Sequence, residues 1–334
     1  MQERVLLAHG SGGKLSHDLV ERLLVPIFNN PLLEKLDDSA SFPASGRLAF
    51  TTDSYIVTPI FFPGGDIGRL AVCGTVNDLS MVGARPLYLS VSLIVEEGLP
   101  VAELERVARS IQEAAEEAGV TVITGDTKVV NHGSADRLFV NTAGIGEVPE
   151  GVDISGSNAR PGDAVIVSGP LGDHGIAVMS QREGLSFAAG VESDVAPLNH
   201  LVQAMLRASG RIHALRDPTR GGLASTLNEI ARQSQVGIRI DEELVPVRDA
   251  VRAACEMLGL DPLYVANEGK LVAMLPEEDA EPVVRAMRKE RHGSAAAIIG
   301  RVCAEEPGQV VMRTRLGTSR IVDMLTGEPL PRIC

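Results

Sequence analysis

The chain has no tryptophan, and aromatic residues make up only 3% of its 334 positions. Its core therefore has to be built from Val, Leu, Ile and Ala. Positive charge is scarce as well: 31 Lys and Arg stand against 44 Asp and Glu, a formal charge of -13. Phosphate backbones are held by clustered Lys and Arg, so this balance argues against a nucleic-acid partner. Long apolar runs are missing too. No stretch approaches the ~18 residues that a membrane span needs, and the start "MQERVLLAHGSGGK" has too short an apolar stretch for a secretory signal. These absences point to a cytoplasmic protein without a membrane partner. The four cysteines include no C-x-x-C pair, which leaves neither a disulfide framework nor a zinc site with sequence support. The seven histidines show no H-E-x-x-H, and no G-x-S-x-G elbow accompanies them. Cys73, Cys255 and Cys303 sit in apolar settings and read as inert buried thiols. Cys334 differs in kind: it ends the chain, in "PLPRIC".

What the sequence does contain is alternation of helix and strand. Over 101–120, Val101, Leu104, Val107, Ala108, Ile111, Ala115 and Ala118 recur at helical spacing opposite a face of Glu and Arg. That pattern predicts an amphipathic helix. It runs into "VTVITGDTKVV", whose β-branched residues read as a buried strand ending in a Gly-Asp turn. A second helix fits 65–84, and "RPLYLSVSLIVEE" between the two reads as a strand. Clustered Pro and Gly mark a domain crossing near 150–160. Beyond it, helices are expected at 194–208, 222–234 and 246–258, and strands near 236–240, 270–275 and 295–303. The fold class is α/β (α+β), with two domains, each a mixed sheet covered by helices, and extended terminal arms. The expected spans are a Gly-rich arm and helix over 1–36, an N-terminal domain over 37–152, a C-terminal domain over 153–318 and a mobile tail over 319–334. Pro329 and Pro331 favour an extended form for that tail.

Several short stretches place carboxylates or amides in settings that read as strand ends: "LDDSA" (Asp37, Asp38), "TTDSY" (Asp53), "TVNDLS" (Asn77, Asp78), "ITGDTK" (Asp126, Lys128), "PLGDHG" (Asp173), "RDPTRGG" (Asp217, Arg220) and "ANEGK" (Asn267, Glu268). Singly, each is equally well a turn or a helix cap. Together they predict hard oxygen ligands converging at one sheet edge, a setting suited to Mg²⁺ and nucleotide phosphates. The N-terminal "AHGSGGK" offers the backbone amides of Gly12 and Gly13 and the ammonium of Lys14 to a polyphosphate. It lacks the spacing of a P-loop and of a dinucleotide fingerprint. His9 and His174 lie in Gly-rich motifs and are further phosphate candidates.

In that order, "LDDSA", "TTDS", "GTVNDLSMVGA", "GDTKV", "DPTRGG" and "NEGK" resemble the ATP-binding superfamily of aminoimidazole ribonucleotide synthetase, selenophosphate synthetase and thiamine-monophosphate kinase. With the opening "HGSGG" and the closing "PRIC", the resemblance is closest to its hydrogenase-maturation branch, the HypE family, and covers essentially the whole chain. It implies an aminoimidazole ribonucleotide synthetase-like fold, a homodimer, and ATP with Mg²⁺ near the N-domain sheet. It also implies a reaction: the carbamoyltransferase HypF loads a carbamoyl group onto Cys334, ATP-dependent dehydration turns it into a thiocyanate, and the cyanide passes to iron on the HypC–HypD scaffold.

By motif position, Glu268 is then the candidate base for the amide protons, and Lys128 the candidate for steadying phosphoryl charge. Asp38, Asp53, Asp78 and Asp126 are the metal and phosphate candidates, joined by Asn77, Gly12, Gly13 and Lys14; Asp37, Asp173 and Asp217 follow. Arg220 pairs with phosphate or braces Asp217. Two other readings compete: a synthetase or kinase of the same superfamily acting on a free small molecule, and a non-enzymatic protein whose thiol tail is a docking or metal-handling element.

Overall fold

The computed structural model describes residues 3–10, 14–33, 40, 42–185, 190–324 and 332–334. Strand β1 (Arg47–Tyr55) opens the N-terminal domain, followed by α1 (Ile67–Met81), β2 (Arg85–Glu96), α2 (Val101–Ala118), β3 (Thr121–Val130) and β4 (Leu138–Val148). The four strands form one mixed sheet in the order β1-β4-β2-β3, with only β2 and β3 parallel. The expected apolar stripe of α2 is buried, and the helix stops at Gly119, whose φ of 69° is the left-handed cap that glycine adopts without a Cβ penalty.

α1 and α2 cover one face of this sheet. On β1 the alternate residues Thr51, Asp53 and Tyr55 face them, as the two-residue period of a strand requires. The opposite face reaches solvent in part. Phe50 there is 70% exposed, and Leu48 and Ile94 on the same face also reach solvent.

The C-terminal domain contains β5 (Asp163–Val167), α3 (Asp173–Glu183), α4 (Asn199–Ala208), β6 (Ala214–Arg216), α5 (Gly222–Ser234), β7 (Gly237–Asp241), α6 (Asp249–Leu258), β8 (Val272–Pro276), α7 (Glu277–Met287), β9 (Ala297–Cys303), β10 (Val310–Arg313) and β11 (Ser319–Ile321). The sheet order is β11-β10-β7-β9-β5-β8-β6. Here both faces are covered. Val165 and Val167 pack with α5, while Ala164 and Ile166 pack with α4 and α7.

Two expectations need correction. Residues 319–321 are not tail: β11 is hydrogen-bonded to β10, and Val322 after it is fully buried. The strand-end placement also fails for several motifs. Asn77 and Asp78 lie inside α1, within the helix expected over 65–84, and Asp53 and Asp126 lie within β1 and β3, because Asp before Ser or Thr does not interrupt a strand whose neighbours supply its ladder. α3 and α7 are additional helices. α7 holds a proline, Pro282, in its interior.

Candidate active site

α1 is buried almost all round, against the N-terminal sheet on one side and the C-terminal domain on the other. Asp66 starts it, its carboxylate accepting from the amides of Gly68 at 2.8 Å and Arg69 at 3.0 Å. Asn77 ties it to the second domain: its Nδ2 donates to the Ala196 carbonyl at 3.1 Å and its Oδ1 accepts from the Leu198 amide at 2.8 Å. Both ends of this amide are therefore engaged in joining domains.

Across the junction, "NEGK" is pinned from several directions. Asn267 Oδ1 accepts from the Gly172 amide at 2.7 Å, and its Nδ2 donates to the Pro218 carbonyl at 2.9 Å. Asp194 accepts from the Glu268 amide at 3.1 Å and from Lys270 Nζ at 2.9 Å. Gly269 permits this approach, since a Cβ there would stand 1.8 Å from the Asp194 carbonyl oxygen.

These supports surround a small cavity of about 40 Å³. Its walls are Asp53, Ser54 and Tyr55 from β1, Gly74 and Asp78 from α1, Asp217, Thr219 and Arg220 after β6, Glu268 before β8, and Cys334. Burial pushes the Glu268 carboxyl well above its ordinary range, and the negative charges of Asp217, Asp194 and Asp53 add to that; a hydrogen bond with the Cys334 thiol opposes it. Burial likewise raises the Cys334 thiol, with Glu268 adding and Arg220 opposing. In this position the thiol is protonated and a weak nucleophile. Burial and Asp78 raise Asp217 to about 7. Asp78 is raised too, by burial and then Asp53, although Thr51 donates to it at 2.9 Å.

Carboxylates that resist ionisation beside one another suit a cation. Among the described residues no group of three or more such side chains is close enough to hold a metal by itself. Within the cavity the carboxylates of Asp53 and Asp78 are the oxygen donors a hard cation would use, and Mg²⁺ in general takes one or two carboxylates and completes its shell with water and phosphate oxygens. A larger cleft of about 650 Å³ adjoins the cavity, shares Asp78 and Asp217 with it, and is also lined by Arg47, Arg216 and Gln233.

The end of the chain is docked inward. Ile333 is 3% exposed and packs into the N-terminal core. Its carbonyl accepts from His174 Nε2 at 2.8 Å, while the Arg332 carbonyl accepts from Arg182 Nη2 at 2.7 Å and from the Thr58 amide at 3.2 Å. The Arg332 guanidinium pairs with Asp136.

The cavity thus gathers Asp53, Asp78, Glu268 and Cys334 from the sequence candidates, with Asp217 and Arg220. Asp126 and Lys128 do not line it. They pair with each other at 3.0 Å on the exposed outward face of β3. Lys14 begins the helix Lys14–Leu19, but its side chain, like Gly12, Gly13, Asp37 and Asp38, lies outside the described residues. His9 is used locally, accepting from the Leu6 amide at 3.0 Å. Asp173 is buried at the start of α3, 3.5 Å from Arg248, and burial raises it to about 6. Tyr55 and Gly74 were not foreseen, although periodicity held the signal: Tyr55 shares a strand face with Asp53, and Gly74 lies one helical turn before Asp78.

Comparison with known proteins agrees with this architecture. The model for the AIR synthase related protein, N-terminal domain, matches residues 36–148, and that for the C-terminal domain matches 160–313. A protein named carbamoyl dehydratase HypE from Azotobacter vinelandii is 55% identical over 99% of this chain and 97% of its own length. The crystal structure of a hydrogenase maturation protein HypE in complex with ATP superposes with a TM-score of 0.96 at 56% identity, covering 98% of this chain and 99% of that one. The HypE subunit match in a HypE–HypF complex has a TM-score of 0.82 at 50% identity, covering 92% and 99%. With its sheets, its domain junction and its inward-docked cysteine tail, the chain belongs to the HypE family of the AIR synthase related proteins.

Proposed function

We propose that this protein is an ATP-dependent carbamoyl dehydratase whose substrate is a carbamoyl group carried on its own Cys334. The observation that carries this reading is the contact of the terminal thiol with Glu268 inside a cavity too small for a nucleotide and roomy enough for a group of a few heavy atoms. Removing water from S–C(=O)–NH2 requires a base at the nitrogen and a leaving group at the oxygen. Glu268 is the base: a buried carboxylate with raised proton affinity is matched to the weakly acidic amide N–H. ATP, when bound, supplies the phosphoryl group that carries the oxygen away, and Mg²⁺ neutralises phosphate charge. Asp53 and Asp78 are the residues that would hold that ion, with nucleotide-sized room in the adjoining cleft. Arg220 stands where it can offset negative charge at the same wall.

The docked thiol is raised and shielded, so loading takes place with the tail withdrawn. HypF is the loading partner, a reading supported by the solved complex of a relative with HypF. The cyanide product passes to the HypC–HypD scaffold for the hydrogenase iron, in the cytoplasm.

Asp126 and Lys128 enter through a homodimer. β1 and β3 are opposite edges of the four-stranded sheet. At ~4.8 Å per strand spacing, three spacings put them ~14 Å apart, too far for Asp53 and Lys128 of one chain to hold one phosphate. A second copy packed on the exposed face that carries Leu48, Phe50 and Ile94 would bring its β3 edge beside this β1, and two-fold symmetry would repeat the arrangement at the other end. Lys128 would then steady phosphoryl charge for the neighbouring chain.

Intact-protein mass spectrometry tests the core of the proposal. Loading should add about 43 Da and ATP should then remove about 18 Da, the masses of added HNCO and lost water. Cys334→Ser should abolish both steps. ATP turnover with a diffusible acceptor in that variant would favour a kinase or synthetase acting on a free molecule.

A further inference from the structure

Two buried polar atoms on residues that line the small cavity have no hydrogen-bond partner among the described residues: the Tyr55 hydroxyl and Glu268 Oε1. Thr75 lies near the Tyr55 hydroxyl without reaching hydrogen-bond geometry with it, and meets the Thr142 hydroxyl at 2.5 Å. Native structures rarely leave such atoms unpaired, because an orphaned buried donor or acceptor forfeits its water without recompense. The two orphans differ in kind. A phenol is neutral at ordinary pH and donates, whereas an ionised carboxylate only accepts.

A carbamoyl group on the Cys334 sulfur, which lines the same cavity, has the complementary pattern, a carbonyl oxygen that accepts and an amide nitrogen that donates. Resting on the dehydratase reading above, we propose that Tyr55 is a further catalytic residue, its hydroxyl donating to the carbamoyl oxygen while Glu268 Oε1 accepts from the amide nitrogen. The oxygen and the NH2 of the group have nearly the same shape. A cavity without the phenol would admit either orientation, and only one of them presents N–H to the base.

The hydroxyl is held in place by the helix backbone. A Cβ on Gly74 would stand 2.1 Å from the Tyr55 oxygen, so the ring tip rests in a notch that only glycine leaves open. Tyr55 keeps its proton throughout. In the overall change the carbamoyl C–O bond breaks with the oxygen departing on the transferred phosphoryl group, both N–H bonds break, and their electron pairs complete the C≡N bond. Glu268 takes one proton and solvent receives the other. The phenol stabilises the negative charge that grows on the departing oxygen, as a preorganised donor does.

The test uses the full-length chain carrying an isotope-labelled carbamoyl group on Cys334, in wild type, Tyr55→Phe and Gly74→Ala. Infrared difference spectra before ATP is added should show the carbonyl band at higher frequency in both variants, because a hydrogen bond to that oxygen is lost. Water loss after ATP, followed by intact mass in a single turnover, should slow by roughly 10²-fold. Gly74→Ala reaches the same hydroxyl from the other side and keeps the test open should Tyr55→Phe fold poorly. In Glu268→Gln water loss should slow by about 10²- to 10⁴-fold while the carbonyl band stays near its wild-type position. A carbonyl band unmoved in both variants, or a rate within about twofold of wild type, overturns the role of Tyr55. Wild-type protein that never loses water with ATP overturns the dehydratase reading itself, and that result is read without any variant.

Discussion

The sequence candidates divide between two places that differ in nearly every physical respect. At the domain junction, Glu268 is buried, Asp217 and Cys334 are half-buried, and all three are shifted toward their neutral forms. On the outward edge strand, Asp126 and Lys128 are more than half exposed and satisfy each other. The first place is poised before anything arrives. The second has the right residue types without an environment, since a solvated ion pair of this kind contributes little by itself. The difference teaches that residue type alone does not make a site: the inner carboxylates acquire their raised proton affinity from burial, and the outer pair, in water, acquires no such property.

The largest expected effect sharpens the inner side of this contrast. Glu268→Gln should lower the rate of water loss by about 10²- to 10⁴-fold while leaving carbamoyl loading intact. The pH profile should agree. Because the Glu268 carboxyl is raised and the proposed base has to be ionised, wild-type activity should be lost as pH falls through a value well above the ordinary carboxylate range, while the residual rate of the variant lacks that limb. A wild-type profile flat down to the ordinary range would break the assignment.

A mixing experiment probes the outer side. Lys128→Ala and Glu268→Gln chains should each be nearly inactive, and mixed hybrids should regain activity, because a hybrid joins an intact Glu268 cavity to an intact Lys128 from the other chain. Phe50→Arg, charging the exposed sheet face, should yield monomers by light scattering and lose activity with them. Active monomers would return Lys128 to its own chain or remove it from the site.

A smaller effect is expected beneath the cavity. Asp194→Asn leaves the largely buried Lys270 ammonium without its carboxylate, and equilibrium unfolding should show a loss of ~3 kcal/mol. The smallest concerns the tail. His174→Gln weakens one hydrogen bond to Ile333, worth ~1 kcal/mol, and should speed alkylation of Cys334 about fivefold. Unchanged alkylation would mean that the docked position does not depend on that imidazole.

How much of this was legible beforehand depended on the kind of signal. α2 and the helix at 222–234 were readable because an apolar stripe at 3.6-residue spacing leaves a pattern in sequence. α7 was not, because Pro282 and the acidic run before it imitate a loop. Glu268 and Cys334 were readable from short motifs, but their meeting was not, since it depends on Asn77, Asn267 and Asp194 drawing distant segments together by main-chain hydrogen bonds. The strand-end placement of Asp78 failed because one residue type serves turns, caps and helix interiors alike. Tyr55 was hidden by its ordinariness: a Tyr in a strand is usually core, and only the unpaired hydroxyl over Gly74 sets it apart.

Apart from the pairing of Arg332 with Asp136, the polar contacts that seat residues 332 and 333 among the described residues end on main-chain carbonyls. Such a berth grips the spine of the tail and is blind to its cargo. An empty, a loaded and a dehydrated chain end compete for it on equal terms, apart from what the sulfur's own burden finds in the cavity. Traffic through the site is then directed from outside, by whichever partner draws the tail away, and the berth itself imposes no order on the cycle.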